Sequence, residues 1–308
     1  MTREQRQTAS LQESTDWFQA LTLEERLRLG GSPAPCDPDT RQAAERRLET
    51  WKTQPPFNGN GLFARRLALD GLDEEALVRL LGESPERLRE RQSGAPPWLR
   101  TLSAAYAAPP QPAPFVWQQE ATPAFLRIAE PLARAGLLRL RRAVRDLAAP
   151  LADPPFDPET AAELFLGKLA EDLRGMLVRV FVLELQIARL EGSLLGETPE
   201  ERFQSFAADL SRPEAGLALL ERYPVLARRL VERVDQWVEV SLELLQRLAA
   251  DWDDLRRAFF PDAPPGRLSD VEGGAGDPHR GGRTVMKLRF ASGSRLIYKP
   301  KPLAGDAA

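Results

Sequence analysis

The sequence contains one cysteine, Cys36, and one histidine, His279, among 308 residues. A single cysteine excludes a disulfide within the chain, and one residue of each type cannot assemble a Cys/His zinc cluster or an HExxH site. Lysine is also scarce, because arginines outnumber lysines 37 to 5. Three of the five lysines, Lys287, Lys299 and Lys301, lie in the last 22 residues. The scarce chemical side chains are therefore concentrated near His279.

Other features are absent as well. The net charge is −3 and the pI is about 5.6, so the chain has no overall basic field that would attract nucleic acid. No run of 18 or more uncharged apolar residues occurs, which predicts no transmembrane helix. The N-terminal segment is polar and has no apolar core, so no signal peptide is expected. A single cysteine fits a reducing compartment, and we expect a cytoplasmic protein.

The composition is that of a folded protein, with 43% hydrophobic and 28% charged residues. The length favours roughly two domains of about 150 residues each. Proline, glycine and hydrophobic periodicity divide the chain into four segments. These are an N-terminal helical segment at 1–93, a proline-rich connection at 94–124, a helical block at 125–260, and a glycine-rich loop with a β-hairpin at 261–308.

Helices are predicted along most of the chain. The clearest is at 158–192, where leucine, valine and isoleucine recur every three to five residues. Capping signals support others, because Thr22 is followed three residues later by Glu25, and Ser84 and Thr198 each precede a proline at the first helical position. Residues 225–260 are expected to form one or two long amphipathic helices. The fold class is therefore mainly α.

The period changes from helical to two at about residue 283. Met286, Leu288 and Phe290 would share one face of a strand, and Ala291–Ser294 has the composition of a turn before a second strand at Arg295–Lys299. The pattern predicts a short β-hairpin preceded by a glycine-rich loop. Since two strands alone are marginally stable, we expect the hairpin to be poorly anchored.

The glycine-rich segment and the following lysine are typical of a phosphate site. Glycines at 273, 274, 276, 281 and 282 would let backbone N–H groups approach phosphate oxygens, and Lys299 would add a fixed charge from a strand. The commoner interpretation is a flexible connection with a solvated strand lysine. Two interpretations are also open for His279. A histidine in a loop is usually only a surface residue, but Asp277 two residues away could orient its imidazole and Arg283 could hold an anion nearby.

The segment from Gly274 to Lys301 resembles the D-x-H-x-x-G-R-x-V…F-x-S-G…Y-K-P segment of class II (LanM-type) lanthipeptide synthetases. The residues that carry this resemblance are Asp277, His279, Gly282, Arg283, Val285, Phe290, Ser292, Gly293, Tyr298, Lys299 and Pro300. The stretches at 198–203, 223–228 and 244–252 also resemble that family. The resemblance is most specific from 198 to 302.

The resemblance implies a lipid-kinase-like α+β dehydratase elaborated with extra helices. Such an enzyme uses ATP and Mg²⁺ to phosphorylate Ser/Thr of a precursor peptide, then eliminates phosphate to give dehydroamino acids. A separate zinc domain forms the thioether rings. Carried over by position, Asp277 and His279 match the elimination step, and Lys299 matches the ATP-phosphate lysine. Gly274, Gly276 and Arg283 would bind the nucleotide beside Lys299, and no metal ligand is assigned in this chain.

The chain stops at Ala308, whereas the family's sequence continues with the rest of the kinase-like fold and the zinc cyclase. We therefore expect an incomplete kinase-like domain, the N-terminal fragment of a LanM-type dehydratase. Such a fragment would be inactive alone and would have a complementing C-terminal chain as a partner. Two alternatives remain open. One is a non-catalytic helical module that binds a peptide or partner chain, and the other is a plain helical protein with a frayed glycine-rich tail.

Overall fold

The structure is a computed structural model that describes residues 14–30, 36–59, 61–109, 115, 117 and 124–300, with only the backbone given for 124 and 275–280. The chain divides into two compact units. The first comprises Met1–Ser103 with Glu221–Val225, and the second comprises Ala104–Leu220 with Leu226–Ala308.

Helices dominate the described residues, which confirms the mainly α class. None of the helices in these residues is both long and apolar enough to cross a membrane. The α-helices are α1 (Leu23–Arg28), α2 (Pro38–Lys52), α3 (Leu62–Leu69), α4 (Glu74–Leu81), α5 (Pro85–Arg91), α6 (Pro97–Ala107), α7 (Glu130–Ala148), α8 (Leu166–Leu190), α9 (Pro199–Leu210), α10 (Pro213–Arg222), α11 (Pro224–Ala250) and α12 (Trp252–Phe259). Short 3₁₀ segments lie at Asp16–Ala20, Ala124–Ala129, Glu163–Phe165 and Arg280–Gly282.

The predicted helix starts are confirmed in atomic detail. Thr22 accepts the backbone N–H of Glu25 while the Glu25 carboxylate accepts the N–H of Thr22, which is a complete capping box. Thr198 and Glu201 form the same arrangement at the start of α9. The Ser84 hydroxyl likewise accepts the N–H of Arg87 at the start of α5. Local hydrogen bonding therefore sets these helix boundaries.

A cluster of apolar side chains from α2, α3 and α4 forms one part of the core of the first unit. Its buried members are Ala44, Leu48, Phe63, Leu67, Leu77 and Val78. Trp17 and Trp98, both buried in the same unit, meet edge to face with ring centroids 6.2 Å apart. Short amphipathic helices of this kind gain most of their stability from such packing.

The second unit is built around the long helices α7, α8 and α11. α7 and α11 approach closely at Gly136, where an added Cβ atom would lie 2.4 Å from the Val234 Cγ1 atom. Trp237 of α11 is buried and its indole N–H donates to the Phe165 carbonyl over 2.9 Å, just before α8 begins. This bond fixes α11 against the start of α8.

A three-stranded antiparallel sheet packs on these helices, and it differs from the predicted hairpin. β2 (Arg283–Phe290) and β3 (Arg295–Tyr298) are the two predicted strands, but the segment predicted as a glycine-rich loop contains a further strand, β1 (Leu268–His279). The order is β1-β2-β3. The β1–β2 register shifts three times, between Leu268 and Asp270, between Glu272 and Ala275, and between Ala275 and His279. These irregularities remove the alternation that would have revealed the strand in the sequence.

The sheet is also better anchored than a marginal hairpin. The Leu268 N–H donates to the Pro155 carbonyl over 2.7 Å, and Leu268 forms a parallel bridge with Phe156. Phe290 is 1% exposed and its ring lies 5.6 Å from Trp252 and 5.7 Å from Phe260. The expectation of a poorly anchored hairpin is therefore wrong, because a third strand and an aromatic cluster hold it. The kinase-like core itself and the four-segment division stay predictions.

Candidate functional site

The turn between β1 and β2 is the glycine-dependent feature of the site. Arg280–Gly282 forms a 3₁₀ turn in which Gly281 and Gly282 have φ values of +72° and +79°. Gly274 has φ +85°, and its N–H donates to the Thr284 hydroxyl on β2 over 3.2 Å. Since residues that carry a side chain rarely adopt these φ values, glycine is required where the strand bends and turns.

Asp277 and His279 lie at the end of β1, just before this turn. The backbone of Ala275 pairs with Val285 and that of His279 pairs with Arg283, with a register shift between the two pairs. Gly276 and Asp277 are therefore in the irregular part of β1, beside the turn. The structure thus places the backbone of both predicted elimination residues at the turn end of the sheet.

Lys299 lies at the same end of the sheet. Lys299 directly follows Tyr298, which pairs with Met286 of β2. Because β2 and β3 are antiparallel, Lys299 lies next to Val285, the residue of β2 that pairs with Ala275 of β1. Two strand spacings, about 10 Å, separate its strand from β1. Lys299 is exposed, so its ammonium group is accessible to a ligand.

Arg283 has a more constrained environment than the sequence suggests. Its guanidinium donates through Nε and Nη2 to the same oxygen of Glu243 on α11, over 2.8 and 2.7 Å. Glu243 also pairs with Arg247, whose guanidinium lies 5.9 Å from the centre of the Tyr298 ring. Burial raises the pKa of Tyr298 above its ordinary value. Arg283 therefore ties the turn to α11 as well as adding positive charge beside it.

A pocket on the helix-facing side of the sheet contains residues that sequence reasoning missed. Lys168 and Asp172 from α8, Arg233 from α11, and the backbones of Gly273 and Gly282 line it. The Lys168 Nζ atom lies 2.6 Å from Asp172, and the Arg233 Nη1 atom lies 3.7 Å from the same carboxylate. The available signal was the Lys168–Asp172 spacing of four residues, which is typical of a helical ion pair. It could not reveal that the pair lies under the glycines.

Charged cross-strand pairs lie on the sheet beside this end. Glu272 of β1 is in register with Lys287 of β2, and their charged groups are 2.9 Å apart. The hydrogen bond from Lys287 lowers the pKa of the Glu272 carboxyl. Within the described part of the chain, no group of three or more His, Cys, Asp or Glu residues could hold a metal ion.

Comparison with known proteins finds similarities that include this end of the molecule. A family model described as "Domain of unknown function (DUF4135)", which is associated with LanM-type synthetases, matches residues 223–308. All the predicted site residues fall inside that range. The lacticin 481/lactococcin biosynthesis protein LcnDR2 of Lactococcus lactis subsp. lactis is 26% identical over 142 residues.

Over part of its length the chain is therefore similar to a LanM-type lanthipeptide synthetase. The match to LcnDR2 covers 44% of this chain and 15% of the relative, so the chain spans a small part of the length of that LanM-type protein. The resemblance to LanM-type synthetases is thus confirmed, and the roles of the individual site residues stay predictions.

Proposed function

We propose that this chain acts in lanthipeptide biosynthesis as the N-terminal part of a LanM-type dehydratase. Its substrate would be a precursor peptide whose Ser and Thr side chains are phosphorylated and then dehydrated. The observation that carries the proposal is the arrangement at the turn end of the sheet, within residues 223–308 that match the family model. The glycine turn, the backbones of Asp277 and His279, and the exposed Lys299 all lie there.

The described residues fit the phosphates of ATP in two respects. The Gly281-Gly282 turn has no side chains of its own and lies close to the guanidinium groups of Arg283 and Arg233, and Lys299 offers an accessible positive charge at the same end. In the proposed function Lys299 holds the phosphates, with Gly274, Gly276 and Arg283 completing the nucleotide side. Bound ATP would supply the phosphoryl group for the peptide hydroxyl. The Mg²⁺ that the family uses is not assigned to any described residue.

Asp277 and His279 are proposed to serve the second half-reaction. Elimination removes the α-proton of the phosphorylated residue, the freed electron pair forms the Cα=Cβ bond, and phosphate departs with the Cβ–O electrons. Groups that assist this step work best beside the site that installed the phosphate, since one bound peptide can then undergo both reactions. Their position next to the turn supports this role. The zinc-dependent ring formation of the family belongs to a separate domain.

The direct test combines this chain with a C-terminal polypeptide from a LanM-type synthetase. The mixture receives ATP, Mg²⁺ and a Ser/Thr-rich precursor, and the peptide is analysed by mass spectrometry for phosphate gain and water loss. We expect Lys299→Ala to abolish both. We expect His279→Ala to let phosphopeptide accumulate, because the proton transfer of elimination is impaired.

Lys287→Ala is the matched control, since Lys287 lies on the neighbouring strand but is paired with Glu272. It should leave both products nearly unchanged. The chain is also incubated alone, so that any activity of its own is measured. If Lys299→Ala phosphorylates the precursor as well as the unmodified chain does, the proposal is wrong.

A second candidate, a helical module that binds the precursor peptide without catalysis, rests on one observation. α8 exposes several apolar side chains in its second half: Val178, Val182, Leu183, Ile187 and Leu190. Such a surface is typical of binding sites for apolar peptides. Binding of the precursor to this chain, without phosphate gain in the complemented mixture, would favour this candidate over the first.

A further inference from the structure

Both ends of the segment that carries Asp277 and His279 rest on cationic side chains. At one end, a Cβ atom added to Gly273 would lie 3.3 Å from the Cγ atom of Lys168, and one added to Gly274 would lie 3.4 Å from its Cε atom. At the other end, a Cβ atom on Gly282 would lie 2.4 Å from the Nη1 atom of Arg233. At Gly282 a side chain would require Arg233 to shift, and at Gly273 and Gly274 the backbone packs directly against the Lys168 side chain.

One carboxylate holds both cations. Asp172 pairs with Lys168 through Oδ1 over 2.6 Å and with Arg233 through Oδ2 over 3.7 Å. The three side chains are between 18% and 26% exposed, so solvent and salt screen them less than a surface pair. Since Asp172 already pairs with both cations, the cluster is better suited to supporting the β1 backbone than to binding an external anion.

We propose that Asp172 is a positioning residue for the candidate site. Through Lys168 it fixes the Gly273–Gly274 end of the segment, and through Arg233 it fixes the Gly282 end, so that residues 275–280 are held from both sides. Its functional meaning rests on the proposed dehydratase role, in which groups must be placed to within a fraction of an ångström. The positioning itself is a property of this chain and can be measured without any reaction.

The chain offers an unusually clean probe, because His279 is its single histidine. Its imidazole Cε1–H gives one resolved proton resonance in the full chain. We expect Asp172→Asn to shift this resonance and to speed amide exchange across 275–282 by about tenfold or more, because both anchors loosen. Asp172→Glu, which keeps the carboxylate, should restore much of the protection.

Asp235→Asn is the matched control. Asp235 also lies in the second unit and pairs with an arginine, Arg139, over 2.6 Å on the surface. It should leave the His279 resonance and the exchange of 275–282 unchanged. If Asp172→Asn behaves like Asp235→Asn, or if both change the segment equally, the inference is overturned.

A double-mutant cycle tests the contact even if Asp172→Asn unfolds the unit. Gly273→Ala places a methyl group against Lys168, whereas Lys168→Ala removes that neighbour. We expect Gly273→Ala to speed exchange of 275–282 in the unmodified background and to have little effect beside Lys168→Ala. Effects that are additive to within about twofold would contradict the inference. Because no ATP or precursor is needed, failure of the dehydratase proposal would leave this result untouched.

Discussion

Arg91 joins a buried carboxylate to the end of a helix. Its guanidinium pairs with Glu83, whose side chain is 1% exposed, and also donates to the carbonyls of Gly30, Arg26 and Leu29. These three carbonyls lie at or just after the C-terminal end of α1, where the last carbonyls of a helix lack their usual partners, although that of Arg26 also accepts the Leu29 N–H. A single side chain thus satisfies several groups that would be costly to bury unpaired.

Arg91→Met should therefore destabilise the first unit by about 3 kcal/mol, because it leaves the Glu83 carboxylate buried without its partner. Arg87→Met is the control, since Arg87 forms an exposed pair with Glu90 on the same helix and should cost less than about 1 kcal/mol. Urea denaturation followed by tryptophan fluorescence measures both. Equal midpoints for the two variants would contradict this account of Arg91.

At the scale of elements, the buried face of β2 anchors the sheet. Phe290 packs against Trp252 and Phe260, whereas Ile297 on β3 is 57% exposed. Phe290→Ala should cost about 3–5 kcal/mol and should speed amide exchange across β2. Ile297→Ala should change stability by no more than about 0.5 kcal/mol. Denaturation and hydrogen exchange of the two variants check this, and similar losses would show that the aromatic cluster does not hold the sheet.

The sequence predicted elements well where the signal is local. Capping boxes at Thr22 and Thr198, and the apolar repeat of α8, depend on residues within one or two turns of each other, so they are visible in a single sequence. β2 was visible because its buried and exposed positions alternate. β1 was not, because three register shifts break the alternation and its glycines have low strand propensity.

The residues of the candidate site also fall into two groups, those that a sequence motif reveals and those that only the fold brings together. Asp277, His279 and Lys299 carry a motif, so the sequence alone singled them out. The pairing of Arg283 with Glu243, and that of Arg233 with Asp172, join residues 40 or more positions apart on different elements. Only the packing of α8 and α11 against the sheet brings such residues together, and no local pattern encodes it.

At the scale of the whole molecule, exposed carboxylates with lowered pKa values set the response to acid. Arg145 lowers the pKa of Glu159 by hydrogen bonding, Lys287 does the same for Glu272, and the Thr198 N–H lowers that of Glu201. A carboxyl group whose pKa is lower in the folded state binds protons more readily when unfolded. Its contribution to stability is therefore present above its ordinary pKa of 4.5 and is lost as pH falls through the lowered folded value.

We accordingly expect the thermal midpoint to be steady from pH 7 to about 5 and to fall below about pH 4.5. High salt should weaken the part of this dependence that comes from the exposed ion pairs of Glu159 and Glu272, because their charges are screened. The part from Glu201 should persist, since its carboxylate accepts backbone N–H groups at the start of α9. Glu201→Gln should therefore flatten the acid limb in high salt, whereas Glu200→Gln, one residue earlier, should not. An acid limb that disappears entirely in 1 M salt would show that ion pairs alone produce it.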